Sequence, residues 1–452
     1  MLGIVVSRAD SASVHIGERI LEAADWTATE DDSRPDADGG GTVHRLPDAE
    51  LRTFEEWHLH LDDAEAAFTD PDLLVFASRH AGETGPLLTA HHTGNFGRAE
   101  HGGADRSFAR AAPNAHERVL AAFREYAPEG YDVGMECTHH GPTGVETPSL
   151  FVELGSDEAQ WTDPAGARAV ARAVLDLRGT APDRERTLVG FGGGHYAPRF
   201  ERVVRETDWA VGHLGADWSL ADLGPAKAHA DVVDAVFERS GATRALVEGD
   251  HPHLVDVVTD LGYDLVSETW ARETTGVPLD LVARLEREVA TVEEGLRFGE
   301  RTAEGAALET VALPEALLAE ANGIDREGVL AAVRDRTAAV TTEENGTRLA
   351  ERVVVPAGER EAVVEVLVGT LREKYDEVRR DGGAVVAREV AFDPALAREA
   401  GVPEGPAFGR LAEGRSVEVD GETVAPAAVS RERERRFPFP AASDGRQTNG
   451  ER

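Results

Sequence analysis

Apolar positions along the chain fall into two rhythms. Leu2–Ser7, Leu73–Ser78, Tyr131–Thr138, Ser149–Leu154, Thr187–Phe191, Trp209–Leu214 and Ala245–Glu248 are short, largely continuous apolar runs, which predict strands. Between them, Pro113–Tyr126, Ala165–Leu177, Pro198–Glu206, Ala226–Ser240 and Pro252–Leu261 carry apolar residues at helical spacing, and Pro113 and Pro252 suit first helical turns. Strands alternating with helices of this length predict an α/β fold: a mixed, mostly parallel sheet flanked by helices. Sites in such sheets lie at the carboxyl ends of strands. The Asp- and Gly-containing segment Thr27–Thr42 reads as an acidic surface loop.

The pattern changes near Thr274–Pro278. Leu279–Phe298 and Arg360–Arg380 read as amphipathic helices within a smaller α+β region. All 16 histidines lie at or before His253, all six tryptophans at or before Trp270, and the one cysteine is Cys137. The chemistry therefore belongs to the first part. The division expected is a catalytic domain over 1–275, an α+β extension over 276–440 and a polar, disordered tail over 441–452.

Charge changes what can be excluded. Asp and Glu number 84 against 47 Lys and Arg, for a formal charge of −37, and Lys227 and Lys374 are the only lysines. Carboxylates dispersed over a whole lysine-poor chain fit a protein kept soluble in molar salt, where the Debye length is about 3 Å and self-repulsion is screened. Such salt also weakens counterion release for every protein, so the negative charge does not exclude an RNA substrate. Recognition would rest on shape, stacking and hydrogen bonds. A single cysteine rules out an intramolecular disulfide framework. No run approaches the ~20 apolar residues of a membrane span. Met1–Arg8 lacks a basic n-region and has too short an apolar stretch for a signal peptide, so the expected location is cytoplasmic.

Histidines cluster where strands are predicted to end: Ser78-Arg79-His80, His91-His92-Thr93-Gly94-Asn95, Glu136-Cys137-Thr138-His139-His140-Gly141-Pro142-Thr143 and Gly192-Gly193-Gly194-His195-Tyr196, with His213 near the end of its strand. Imidazole is both the commonest metal ligand and the neutral-pH base. Adjacent residues of an extended segment face opposite ways; His92 is favoured over His91 because it abuts Thr93-Gly94-Asn95, and His140 over His139. Glu136 is ligand, partner of a ligand or base, and Cys137 a buried small hydrophobe. The glycine triplet offers backbone N–H groups to a phosphate or an oxyanion, or else makes a tight turn. His15, His44, His116, His229, His251 and His253 read as structural or surface residues. His58-Leu59-His60 reads as one face of a strand.

Taken together and in order, His92-Thr93-Gly94-Asn95, Cys137–Thr143, Glu153-Leu154-Gly155-Ser156 with Trp161, and Gly192–Arg199 resemble the zinc-dependent D-aminoacyl-tRNA deacylase family of archaea and plants, over about Met1 to Thr274. The resemblance implies a domain shaped like peptidyl-tRNA hydrolase and nucleoside phosphorylases. It implies hydrolysis of the ester joining a D-amino acid to the tRNA 3′ end, a quality-control step in translation. It further implies zinc, two ions per subunit, and a monomer. The second half is similar to an extension of haloarchaeal members. Within it, Gly401–Leu411 and Asp420–Val424 resemble a segment of ribonuclease Z enzymes, whose H-x-H-x-D-H hallmark His58–Asp63 approaches without its final histidine.

On this reading, some of His80, His92, His140 and His195 hold zinc. His92, Glu136, His139, Gly193 and Gly194 serve catalysis, with the glycine amides or the zinc holding the oxyanion and Glu136 or His139 moving the proton. Asn95, Thr143 and Tyr196 contact substrate. The alternatives are another zinc hydrolase or a nucleoside phosphorylase-like enzyme acting on small molecules, and a non-enzymatic RNA-binding protein stabilised by zinc.

Overall fold

The computed structural model describes residues 1–302 and 307–438; the tail expected over 441–452 lies outside the described residues. The chain divides into two compact units, Met1–Thr275 and Gly276–Arg452.

In the first unit the strands are β1 (Leu2–Ser7), β2 (Thr27–Asp31), β3 (Gly41–Leu46), β4 (Ala49–Phe54), β5 (Leu73–Arg79), β6 (Leu87–His91), β7 (Gly94–Asn95), β8 (Ser107–Phe108), β9 (Asp132–Met135), β10 (Ser149–Gly155), β11 (Thr187–Phe191), β12 (Ala210–Gly215), β13 (Arg244–Val247) and β14 (Asp264–Val266). Eight form a mixed sheet ordered β2-β3-β4-β1-β5-β10-β6-β9; a second, parallel sheet is ordered β12-β11-β13-β14. β1, β5 and β10 run parallel, β6 runs antiparallel to β10, and β9 runs parallel to β6. Strands β1, β5, β10, β11 and β12 are buried along almost their whole length. That explains their continuous apolar sequence, since both faces are covered.

The helices are α1 (Ser11–Glu22), α2 (Pro113–Tyr126), α3 (Glu158–Trp161), α4 (Pro164–Leu175), α5 (Pro198–Glu206), α6 (Asp217–Leu223), α7 (Ala230–Ser240), α8 (Pro252–Asp260) and α9 (Glu268–Glu273). α1 packs on β5 and α4, and α2 packs on α4 and β12. Pro113, Pro164, Pro198 and Pro252 each open a helix, where their missing N–H costs no hydrogen bond.

In the first unit two expectations differ from the structure. Thr27–Thr42 is not a loop throughout, because its ends are β2 and the start of β3. β2 is a half-exposed edge strand, so it lacks the apolar signal of the interior strands. His58-Leu59-His60 is a 3₁₀ turn rather than a strand, with His58 fully buried against Phe76 and Phe151.

In the second unit an antiparallel sheet of Leu296–Phe298, Ala339–Glu343, Arg348–Pro356 and Leu308–Ala312 shares a core with helices Glu315–Ile324, Arg326–Arg334 and Arg360–Leu371. Glu377–Arg380, Ala384–Phe392 and Ser430–Pro438 form a three-stranded sheet. The helices expected over Leu279–Phe298 and Arg360–Arg380 stop at Glu288 and Leu371, and their last residues are strands. Among the described residues, no helix is long and apolar enough to cross a membrane.

Candidate active site

Within the first unit, strand ends of both sheets converge on one group of imidazoles and carboxylates. His80 follows β5, His91 ends β6, Glu136 and Cys137 follow β9, Glu153 lies within β10 and His195 follows β11. The pairing sets the directions. His91 lies opposite Phe151 and Thr89 opposite Glu153 in the β6–β10 ladder, so His91 and Glu153 emerge on one face. His91 Nε2 is 3.5 Å from Glu153 Oε1. His80 Nδ1 is 3.2 Å from Glu136 Oε1 and 3.6 Å from Glu153 Oε2. His195 Nε2 is 2.7 Å from Glu136 Oε2. His139, held through its Nδ1 by the Cys137 carbonyl, places its ring centroid 4.2 Å from His91 and 4.4 Å from His140.

Two unpaired carboxylates inside a protein would cost far more than the fold can supply, so the neighbouring imidazoles answer their charge. Burial raises the Glu136 carboxyl pKa, but the hydrogen bond with His195 and the close approach of His80 outweigh it and hold the group well below its ordinary value. Glu153 is likewise lowered by His80 and His91 against burial. Burial lowers His80, yet Glu136 and Glu153 push it up to about 10. His91 is raised the same way, chiefly by Glu153. His139 is lowered to about 4 and His140 is lowered too, first by burial and then by neighbouring histidines. The Cys137 thiol is pushed up to about 12 by burial and by Glu136.

This donor set fits a divalent metal. Three groups bring their donor atoms within 4.8 Å of one another: His80, Glu136 and Glu153; His91, His139 and His140; and Cys137, His139 and His195. His91 Nε2 and Glu136 Oε1 are buried without an aligned hydrogen bond, which leaves lone pairs pointed into the cluster. Imidazole nitrogen and carboxylate oxygen are the donors of catalytic zinc sites.

Of the residues singled out from sequence, His80, Glu136, His139, His140 and His195 come together here. His92 does not. The pleat turns it to the opposite side of its neighbour, where its Nδ1 meets the Gly212 carbonyl at 3.1 Å and its ring packs between His116 and His213. His91 stands in the cluster instead. His213, in turn, bonds Thr138 Oγ1 and the Ala109 carbonyl.

The glycine triplet is a turn rather than an oxyanion cradle at its first two amides. Gly192 N–H donates to the Gly215 carbonyl, Gly193 N–H to Asp217 Oδ1, and Asp217 N–H returns to the Gly193 carbonyl. The Gly194 carbonyl accepts from Ala197 N–H. Gly192 and Gly193 have φ of +92° and +81°, and a Cβ at Gly192 would stand 1.9 Å from the Glu248 carbonyl oxygen. Asn95 donates to the Gly102 and Ala104 carbonyls, and Thr143 Oγ1 accepts from Ala104 N–H, so both brace the loop after β7. The Tyr196 hydroxyl lies 3.2 Å from His80 Nε2.

His91, Glu153 and Trp218 carry no role in the sequence reading. For Glu153 a signal existed: a carboxylate inside an otherwise apolar strand rarely lacks a partner. His139, His140 and His195 face a cleft of about 580 Å³, bordered also by Asn95, Arg98 and Trp218.

Fold and site together define an α/β protein with a metal-competent cluster of histidine and carboxylate groups at converging strand ends. Residues 67–266 match the family described as D-aminoacyl-tRNA deacylase. A D-aminoacyl-tRNA deacylase of Halorubrum lacusprofundi is 54% identical over 98% of both chains. That of Natronomonas pharaonis is 55% identical over 97% of this chain and all of its own. A solved structure of a conserved protein of unknown function is 26% identical, with a TM-score of 0.55 over 61% of this chain and 98% of its own. The chain belongs to the D-aminoacyl-tRNA deacylase family.

Proposed function

We propose that the chain hydrolyses the ester between a D-amino acid and the 3′ end of tRNA at a zinc site of two ions. His80, Glu136 and Glu153 would hold one ion, and His91, His139 and His140 the other. The observation that carries this reading is that the donor atoms of each set lie within 4.8 Å of one another. Zinc, when bound, supplies a water acidified toward neutrality and polarises the ester carbonyl.

The chain's own groups do the rest. Glu136 Oε2 accepts from His195 Nε2–H; as that proton moves to the leaving ribose oxygen, Glu136 takes the proton of the attacking water and then returns it to the emptied Nε2. His195 is the most exposed of the clustered histidines, with its side chain 32% accessible, so it can reach the leaving ribose oxygen and protonate it. His91 and His140 pack on Phe151 and form an inner wall. L-esters are rejected because their side chain would be driven into such a wall. The protein acts as a monomer, in the compartment where tRNA is charged.

The test is release of D-tyrosine from D-tyrosyl-tRNA in molar KCl, with and without a chelator, against the L-ester. Turnover of the D-ester alone, lost on chelation and restored by zinc, is expected. Well-folded, zinc-loaded protein that leaves the D-ester intact would overturn the reading in favour of a small-molecule hydrolase on the same scaffold.

A further inference from the structure

Four large hydrophobic side chains are exposed among the described residues: Tyr196, Trp218, Leu265 and Val390. Two of the four stand beside His195. Trp218 is 46% exposed, and its indole lies at 30° to the His195 ring with centroids 6.3 Å apart. Tyr196 is 37% exposed and meets the His195 ring edge-on at 5.0 Å. Leaving a tryptophan in water forgoes a large burial gain, so an exposed one at the lip of a catalytic cleft calls for a partner.

Both aromatics are held in place. Trp218 is the second residue of α6, whose first residue, Asp217, exchanges two hydrogen bonds with Gly193 in the turn that leads to His195 and Tyr196. His251 Nε2 approaches the same Asp217 oxygen at 3.1 Å. The Tyr196 hydroxyl is tied to His80, which leaves its ring and not its oxygen to offer. The charges bordering the cleft do not favour phosphate, since Arg98 is offset by Glu100 and Asp222. Stacking is a means of holding a nucleotide that does not depend on counterion release, and every base has a face to stack.

We propose that Trp218, with Tyr196 beside it, is the platform on which the terminal adenine base of tRNA stacks, and that this places the aminoacyl ester over the histidine cluster. The proposal rests on the deacylase reading above and adds the subsite for the base. Trp218 is a binding residue here; it takes no part in the chemistry.

The test measures binding, so it does not depend on turnover. A fluorescein-labelled RNA minihelix ending in CCA, and the same minihelix ending in CC, are titrated in molar KCl with the full chain, Trp218→Ala and Trp218→Phe. Wild type is expected to prefer the CCA end, and Trp218→Ala to lose about 5- to 100-fold on CCA with little change on CC. Trp218→Phe keeps most of the preference, which also shows that the site tolerates substitution. Wild type binding both ends alike, or Trp218→Ala weakening both equally, overturns the proposal. A wild type that cleaves D-tyrosyl-tRNA and yet ignores the terminal adenine overturns the platform alone. One that binds the adenine through Trp218 and cleaves no D-ester overturns the deacylase reading alone.

Discussion

Glu136 Oε2 sits 2.7 Å from His195 Nε2, while the other oxygen of the same carboxylate faces His80 Nδ1 at 3.2 Å. One buried carboxylate thus joins a buried histidine of the cluster to a histidine at its cleft side. If it relays the proton, Glu136→Gln keeps the shape and removes the base. The expected result is a fall in kcat of about 10²- to 10⁴-fold on D-tyrosyl-tRNA. Single-turnover kinetics on protein of verified zinc content checks this; unchanged kcat would move the relay elsewhere.

Neighbouring histidines with opposite directions give a sharp comparison. His91→Ala is expected to lower bound zinc and abolish turnover. His92→Ala is expected to keep zinc and to destabilise the fold by about 2–4 kcal/mol, because a buried ring packed on His116 and His213 leaves a cavity. Metal analysis alongside urea unfolding separates the two, and loss of zinc in His92→Ala alone would reverse the assignment.

Gly192 has a positive φ and no room for a side chain, with a Cβ 1.9 Å from the Glu248 carbonyl oxygen. Gly192→Ala is expected to cost more than the ~1 kcal/mol of ordinary left-handed strain, since backbone must also move. Gly194, where a Cβ meets nothing within 4 Å, is expected to accept alanine within about 1 kcal/mol. Equal destabilisation of the two variants in chemical unfolding would contradict this account of the turn.

Acid sensitivity should come in part from His58. Burial pushes its pKa down to about 4, so the folded protein keeps it neutral while the unfolded chain protonates it near 6.5. The unfolded state therefore binds more protons as pH falls from about 6.5 to 4, and stability drops across that window by up to roughly 3 kcal/mol from this group. Asp10, 3.9 Å from His58 Nδ1, is raised by burial, so the folded state takes up its proton first and offsets part of this loss; Ser13 Oγ, 3.2 Å from His58 Nε2, is uncharged. Unfolding of His58→Gln measured from pH 7 to 4 is expected to fall less steeply than wild type. Parallel curves would assign the acid loss to other groups.

Several parts of this structure were legible in the residues. Doubly covered strands such as Leu73–Arg79 and Thr187–Phe191 read as continuous apolar runs because both faces are buried. Histidines at strand ends marked the site, since small residues and imidazoles seldom collect there without a purpose. β2 was missed because an edge strand with exposed positions has the composition of a loop. The choice between His91 and His92 followed their sequence neighbours, while the direction is set by the register of β6 against β10, a long-range fact. Glu153 has no role legible in the sequence because its partners, His80 and His91, come from other strands. Gly193 read as an amide donor for an oxyanion, and only the fold shows that Asp217 takes that N–H.

Gly193 and Asp217 clasp each other through reciprocal hydrogen bonds. The histidine that would donate the proton and the tryptophan that would receive the base belong to segments hung on the same clasp. A length change in either connection would shift both at once. Redesign of this enzyme toward a different acceptor should therefore treat residues 192–196 and 217–218 as a single cassette, exchanged whole.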